Sequence, residues 1–508
     1  MIHLHKDPTA RLLKSYLPPF KGTWTTLPSY ILPDDALSSS LNTTLLGGLL
    51  RSRCGLKSYN STNLGNKVLG SFLSVDTLNN KYPFCGTRNK VYRYVNNNWS
   101  DITSVIPLTA SNDSVVRFTS LQLGTLVYVF YTNGTDPLKI ISQSGYNLDN
   151  ITAVSGSIPT MTDICTSFSR VVGITPPYTI QWCDAINNTY VSYQAWPSLN
   201  QAILADTEDS LVCIGSLGTL GVAVYKEGNI FVGIAQSGPN SQAFRFEHRG
   251  EYEGPANPNA RVSVNGTHIY MTPTGRVGLF DGTQQAYICD GIWPTLQDTI
   301  DEENTNHIFG VYDYKTAQVT FWYPRVGDNG ASLGMLTIDI PFPLAGIQSY
   351  SYFIGQSNFP CSNGLSIRLF QANSSPLIFG NNNQTFTLDK HTYTDNLESF
   401  SCSAEPGLFR PTRVEGDNDF SDIYKPIFEI LATRDSSRGE VHISSVTSSM
   451  LENDGNLSQS QIMDLSKTHI NDYIAFNSTG SFLGLKMEWD STAKFEYKGA
   501  NVYGRKLP

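Results

Sequence analysis

Residues 259–289 read NARVSVNGTHIYMTPTGRVGLFDGTQQAYIC. Four short runs with apolar residues at every second position are separated by Asn265-Gly266, Pro273-Thr274-Gly275 and Asp281-Gly282. The Asn-Gly and Asp-Gly pairs and Gly275 tolerate the positive φ angles of tight hairpins, and Val, Ile, Tyr and Phe fill the runs at a period of two. The stretch is therefore expected to be a complete four-stranded meander. One such sheet leaves its apolar faces uncovered, and looser relatives of it recur along the chain, the pattern expected when small sheets pack radially.

The chain has 508 residues, of which 40% are hydrophobic. It can bury a sizeable core and has the length of about two to four domains. Only 16% of residues are charged, with a formal net charge of -9. That balance argues against a surface binding nucleic acid through counterion release, which needs clustered Lys and Arg. No run of about 18 apolar residues occurs, so no spanning helix is expected. The opening MIHLHKDPTARLLKSYLPPF lacks the apolar core and cleavage site of a secretory signal. Cys54, Cys85, Cys165, Cys183, Cys213, Cys289, Cys361 and Cys402 are scattered without CxxC pairs or zinc spacing and read as reduced thiols. Sequons at Asn133, Asn265 and Asn477 read as chance occurrences in an Asn- and Thr-rich chain rather than glycosylation sites.

Residues 1–60, with LPPF, Pro28 and Pro33, read as an extended N-terminal arm that wraps other parts of the molecule or its neighbours. Hairpins follow at 90–103, 126–141, 170–196, 215–235, 307–324, 336–342 and 365–380. Each is a strand, a polar turn and a return strand, with a further turn at Asn187-Asn188. Helix is expected only as a turn or two at 295–304 and a short stretch at 459–466. The hairpin pairs recur at about 35 to 50 residues, the size of a propeller blade, giving roughly six or seven blades. After Phe400 the composition turns polar and then supplies KPIFEILAT, EVHISSV, YIAFNST, FLGLKMEWD and AKFEYKGANVY as successive strands. The fold class is all-β: a β-propeller over 61–400, with 401–508 as a small C-terminal β module or a blade-closing segment.

Several stretches together carry a resemblance. They are LPSYILPDDALSSSLNTTLLGGLLRSRCG with Pro28, Pro33, Ala36, Asn42, Gly47, Arg53 and Gly55; LVCIGSLGTLGVAVYKEGNIFVGIA followed by FRFEHRGEYEGPANPNARVSVNGTHIYMTPTGRVGLFDG; and the closing SFLGLKMEWDSTAKFEYKGANVYGRKLP with Gly504 and Arg505. The chain resembles the β-propeller tail proteins of short-tailed bacteriophages, the hub, nozzle or packaged-DNA stabilisation components below the portal. It departs from that family in lacking a Gly-Leu opening to the arm, and in having Ser478-Thr479-Gly480-Ser481 where a Gly-Arg often precedes the last hairpin.

Candidate chemistry is sparse. Asp136, Asp184, Asp281 and Asp339 fall on or near hairpin tips. Paired acids about 5 to 9 Å apart could hydrolyse a glycoside, whereas a single Asp at a turn caps backbone N–H groups. His3 and His5 are the nearest thing to a metal pair but lack a third ligand, and His248 and His268 read as surface or partly packed residues. GSLGTLG at 215–221 has no Gly-Lys-Ser/Thr ending and opens onto a strand, so it reads as a tight β connection and not a phosphate loop. GIAQSG at 233–238 lacks the strand-to-helix context of a nucleophile elbow. Trp99, Trp182, Trp293 and Trp322 are expected to seal blade against blade.

The expectation is thus a non-enzymatic structural protein with no catalytic, cofactor or metal site. The resemblance implies a virion location on the phage tail, assembly in the bacterial host cytoplasm, and a ring of identical copies, a hexamer, on the tail axis. Its implied partners are portal or adaptor proteins, tail fibre or needle proteins, and double-stranded DNA that passes without sequence-specific contact during ejection. The competing expectations are a receptor- or glycan-binding propeller of a viral particle and a propeller glycoside hydrolase.

Overall fold

A computed structural model describes residues 11–104, 106–142, 146–184, 192–236, 243–340, 350–367, 375–381, 383–408, 427–433, 439–448, 456–457, 460–464, 471–475, 482–493 and 495–504. The expected meander is present as Arg261–Val264, Thr267–Met271, Val277–Phe280 and Gln285–Ile288, each strand antiparallel to the next. Asn265 and Gly266 sit at φ 50° and 84°, the left-handed pair that an Asn-Gly hairpin needs.

Five separate four-stranded sheets share this up-and-down order. Blade 1 is Val68–Val75, Lys81–Thr87, Val91–Val95 and Asn98–Asp101; blade 2 is Arg117–Leu123, Leu126–Thr132, Lys139–Ile141 and Leu148–Asn150. Blade 3 is Asp163–Ser167, Arg170–Thr175, Thr179–Trp182 and Gln201–Ile203; blade 4 is Leu211–Ser216, Val222–Lys226, Ile230–Ala235 and Phe244–Gly250. The meander is blade 5. Two further blades share one strand. Phe309–Asp313, Gln318–Pro324 and Ser332–Asp339 pair in order with the first half of Ser351–Leu365 to make blade 6. The second half of that strand then begins blade 7, followed by Leu377–Gly380 and Thr385–Asp389. The outer strand of blade 7 comes from the other end of the chain, Gly55–Asn60, which pairs antiparallel with Thr385–Asp389.

The result is a seven-bladed propeller. Inner strands of successive blades lie side by side, and Ser351–Leu365 returns against Val68–Val75 to close the circle. The packing repeats the topology, because each blade-to-blade interface has its own apolar cluster: Phe84 with Phe118 between blades 1 and 2, Phe130 with Ile164 between 2 and 3, Trp182 with Phe244 between 3 and 4. Tyr225 meets Tyr270 between 4 and 5, Met271 meets Phe321 between 5 and 6, Trp322 meets Phe386 between 6 and 7, and Phe379 meets Trp99 between 7 and 1. Trp99, Trp182 and Trp322 therefore seal blades as expected, each burial contributing about 1.5–3 kcal/mol or more. Trp293 instead starts the helix Trp293–Thr299, stacks under the Arg276 guanidinium 3.9 Å from its ring centre, and stays partly exposed. All eight cysteines are unpaired and buried.

The boundaries read from the sequence fall differently in space. Residues 11–60 do wrap other parts of the molecule, but as strands in its sheets and not as a separate arm: backbone donors and acceptors still need partners in a Pro-broken stretch, and the far end of the chain supplies them. Arg11–Tyr16 pairs with Glu496–Gly504, which also pairs with Leu49–Ser52. Ala36–Leu41 pairs with Ser401–Pro406. Two sheets result. One holds Arg11–Tyr16, Thr43–Leu46, Leu49–Ser52, Glu496–Gly504, Ile427–Thr433 and Asn471–Ala475. The other runs from Gly22–Thr23 and Ala36–Leu41 through Ser401–Pro406 and Phe482–Asp490 to Glu440–Ser448. They enclose Tyr16, Leu50, Phe428, Trp489, Phe495 and Tyr497. The module placed at 401–508 is thus a sandwich built from both chain ends, and the propeller starts at Gly55 and not at residue 61.

The turn of helix expected at 295–304 is present as Trp293–Thr299 and Glu302–His307. The one expected at 459–466 is not. Gln461–Asp464 is a strand on Glu440–Ser448, where an unpaired sheet edge outweighs local helix preference. The Asn187-Asn188 turn lies outside the described residues.

Candidate functional site

Two polar assemblies stand out in the interior. The first crosses the propeller axis at the end where the inner strands begin. Arg117 of blade 2 donates from Nε to Asp163 Oδ1 of blade 3 at 2.8 Å, and from Nη1 to Asn259 Oδ1, just before blade 5, at 3.0 Å. Asn259 Nδ2 donates onward to the Leu69 carbonyl of blade 1 at 2.9 Å. Blades 2 and 5 face each other across the ring, so these bonds bar the axis. Asp163, fully buried, also accepts from the Ile214 N–H of blade 4 at 2.9 Å.

Beside it, Arg261 Nη2 donates to the Ile214 carbonyl at 3.0 Å and its Nε points at Cys213 Sγ, 3.1 Å away. His268 sits 3.3 Å from Arg261 Nη1. Its Nδ1 is 2.8 Å from the Tyr225 hydroxyl and its Nε2 is 3.0 Å from the Ser216 carbonyl. The partners assign the tautomer: Nε2–H donates to Ser216 and Nδ1 accepts from Tyr225. Burial, and then the Arg261 charge, push the imidazolium pKa well below its ordinary value, so this histidine is neutral. The sequence reading of His268 as a surface or partly packed residue is corrected here. The strand Thr267–Met271 is buried on both faces, and polar alternation inside it does not point to water.

The second assembly joins propeller to sandwich. Arg53, 3% exposed, faces Asp395, 0% exposed. Nη1 reaches Asp395 Oδ1 at 3.0 Å and Nη2 reaches Oδ2 at 2.5 Å. The remaining donors go to Asn42 Oδ1, the Cys54 carbonyl and the Gln356 carbonyl. The carboxylate accepts further from the N–H groups of Leu56 and Asn358. Phe400 covers the guanidinium at 3.8 Å. Asn42 turns the corner at φ 54°, where asparagine is tolerated, and spends its amide on Ser401 and Gln356. Gly55 lies so near the 392–394 backbone that a Cβ would stand 2.3 Å from the Thr394 carbonyl. A buried ion pair gives little net stability by itself, but with every donor and acceptor met it fixes one geometry.

The candidate carboxylates are dispersed over blades 2, 3, 5 and 6. Asp136 accepts from Thr109 N–H, Thr109 Oγ1 and Asn133 Nδ2. Burial alone would raise its pKa, but those hydrogen bonds outweigh it and hold the carboxyl below its usual range. Asp281 caps its own turn through Thr283 and Gln284. Asp184 lies 3.8 Å from Arg170. Asp339 differs: burial pushes it up to about 7 against the pull of its bond from Gln318, and its Oδ2 has no hydrogen-bond partner. Turn capping accounts for Asp136 and Asp281, and the structure does not bring the four together as an acid pair. Residues 215–221 form a tight connection, with Leu217 N–H donating to the Gly221 carbonyl at 2.9 Å. His248 is exposed and bonds Asn229 at 2.8 Å. His3, His5, Ser237, Gly238 and Arg505 lie outside the described residues. Among the described residues, no group of three His, Cys, Asp or Glu gathers as a metal site, and no helix is long and apolar enough to cross a membrane.

No family model matches the chain, and no curated protein matches it. Among solved structures, it is similar to YCF48 from Cyanidioschyzon merolae at 10% identity and TM-score 0.41, over 66% of this chain and 100% of that one. It is similar to BBS1N in its complex with ARL6DN, at 9% identity and TM-score 0.41, over 68% of this chain and 100% of the other.

Proposed function

We propose that this chain is a non-enzymatic structural protein of a bacteriophage tail, a hub or nozzle component whose copies, six in number, form a ring on the tail axis. The ring helps retain packaged DNA and conducts it at ejection. One observation carries this reading. Three residues of the N-terminal pattern that helps carry the resemblance, Asn42, Arg53 and Gly55, sit in the seam between propeller and sandwich. A pattern spent on welding two β bodies together suits a rigid building block.

Two further features support it. The bonds of Arg117 and Asn259 cross the propeller's own axis, which favours a DNA conduit in a lumen between copies over one through a single propeller. The N-terminal segment laid on the sandwich keeps Leu12, Leu17, Phe20 and Ile31 exposed at 49–56%. That is apolar surface of the kind a closed ring of heterologous contacts covers.

The test is the mass of the particle. Native mass spectrometry of the full chain, alone and with a tail adaptor, is expected to give a closed multiple of the chain, six copies. A monomer in both conditions at tens of micromolar, roughly the range where weak assemblies form, would overturn the proposal.

A further inference from the structure

Blades 6, 7 and 1 meet around an open cleft of about 830 Å³. Lys57 and Tyr59 point into it from the outer strand Gly55–Asn60, on one side because they are two residues apart. Tyr94 lines it from blade 1, Lys315 from a turn of blade 6, and Lys390 and His391 from the turn after Thr385–Asp389. The Tyr59 and Tyr94 rings lie 5.2 Å apart, tilted by 39°, and Tyr59 is 41% exposed.

The walls are held in place. Asp389 spends Oδ1 on the His391 N–H and Oδ2 on the Thr392 hydroxyl. Arg51 Nη2 holds the Lys390 carbonyl at 3.1 Å. Asn60 Nδ2 ties the closing strand to the Asn97 carbonyl of blade 1 at 2.9 Å. Lys315 Nζ reaches Ser375 Oγ at 3.3 Å. The chain carries a net charge of -9, yet the lining here sets three lysines, Lys57, Lys315 and Lys390, against one carboxylate, Asp389, beside an aromatic face on a pinned frame. Such a frame loses little freedom when a ligand arrives.

We propose that this cleft binds an acidic sugar, its ring face against Tyr59 and its anion between Lys57 and Lys390. An aromatic face supplies flat apolar contact for a sugar's C–H surface. Ammonium groups on flexible stems meet a carboxylate or phosphate as point charges. Single-stranded nucleic acid fits less well, since it calls for successive stacking platforms along a basic track and the cleft offers one tyrosine pair. The proposal does not rest on ring formation.

Calorimetric titration of the full chain tests this with four probes: oligogalacturonate, mannose 6-phosphate, neutral oligogalactose and oligothymidylate. Binding of at least one acidic sugar is expected, weakened by salt, and reduced about tenfold or more by the double change K57Q/K390Q and by Tyr59→Ala, with melting curves unchanged. Oligogalacturonate alone would assign the anion as a carboxylate, and both acidic sugars together would assign a general anion subsite. The proposal is overturned if neither acidic sugar binds, if oligogalactose binds equally well, if the variants bind like the parent, or if oligothymidylate binds more tightly and is lost in the same variants. None of these outcomes alters the particle mass, so this proposal and the ring proposal fail separately.

Discussion

Arg53 and Asp395, 342 residues apart in the chain, meet as a two-bonded ion pair at the seam of the molecule, with at most 3% of either side chain exposed. Removing one partner leaves the other charged in a dry place. Arg53→Met and Asp395→Leu are each expected to cost about 3–5 kcal/mol, and the double change less than the sum. Urea unfolding of the two single variants and the double variant checks this. Equal, additive losses below about 1 kcal/mol, the value of an exposed pair, would show that the pair does not hold the seam.

The closing strand makes a second prediction. Leu56 is fully buried and belongs to the cluster between blades 6 and 7. Leu56→Ala is expected to destabilise by about 2–5 kcal/mol, read from the urea midpoint. A chain begun at residue 61 lacks the outer strand of blade 7 altogether and is expected to lose the cooperative transition, seen by circular dichroism during a melt.

His268 gives a pH dependence whose sign follows from its neutral state. The unfolded chain takes up a proton near pH 6.5 and the folded chain does not, so stability is present above that pH and falls below it. The slope is up to about 1.4 kcal/mol per pH unit. In His268→Gln this slope between pH 6.5 and 5 is expected to disappear, measured by urea unfolding at several pH values.

Asp339 works in the opposite sense. Its folded pKa of about 7 exceeds the ordinary 3.8, so its contribution is complete below pH 4 and lost as pH rises through 7. Asp339→Asn, which keeps an oxygen for Gln318, is expected to be more stable than the parent at pH 8 by about 1–3 kcal/mol, discounting for its partial exposure. At pH 4 the gain is expected to vanish. An equal gain at both pH values would remove ionisation as the cause.

What could be read in the chain was local. Residues 259–289 declared a blade because their turns and alternation are contiguous, and the same holds for the hairpins around Trp99 and Asn133. Gly55–Asn60 could not be read as the closing strand, since GLKSYN alternates weakly and its partner lies more than 300 residues away. Ser351–Leu365 serves two blades with Pro360 inside it, and a proline in a run argues against a strand until the change of partner near Cys361 is known. Arg53, Asn42 and Gly55 fall in one short sequence pattern, whereas Asp395 lies 342 residues beyond Arg53 with nothing local to link it to them. The cleft was equally hidden, because Lys57, Tyr94, Lys315 and Lys390 meet only when three blades close.

The most direct test of the proposal that this chain is a ring component of a phage tail is single-particle electron microscopy of particles assembled from the full chain with a tail adaptor. Six seven-bladed propellers arranged as a ring on the tail axis are expected, with the lumen between copies and not through any one propeller. Density for the chain off that axis, as isolated copies, or with the lumen running through a propeller's own centre would contradict it.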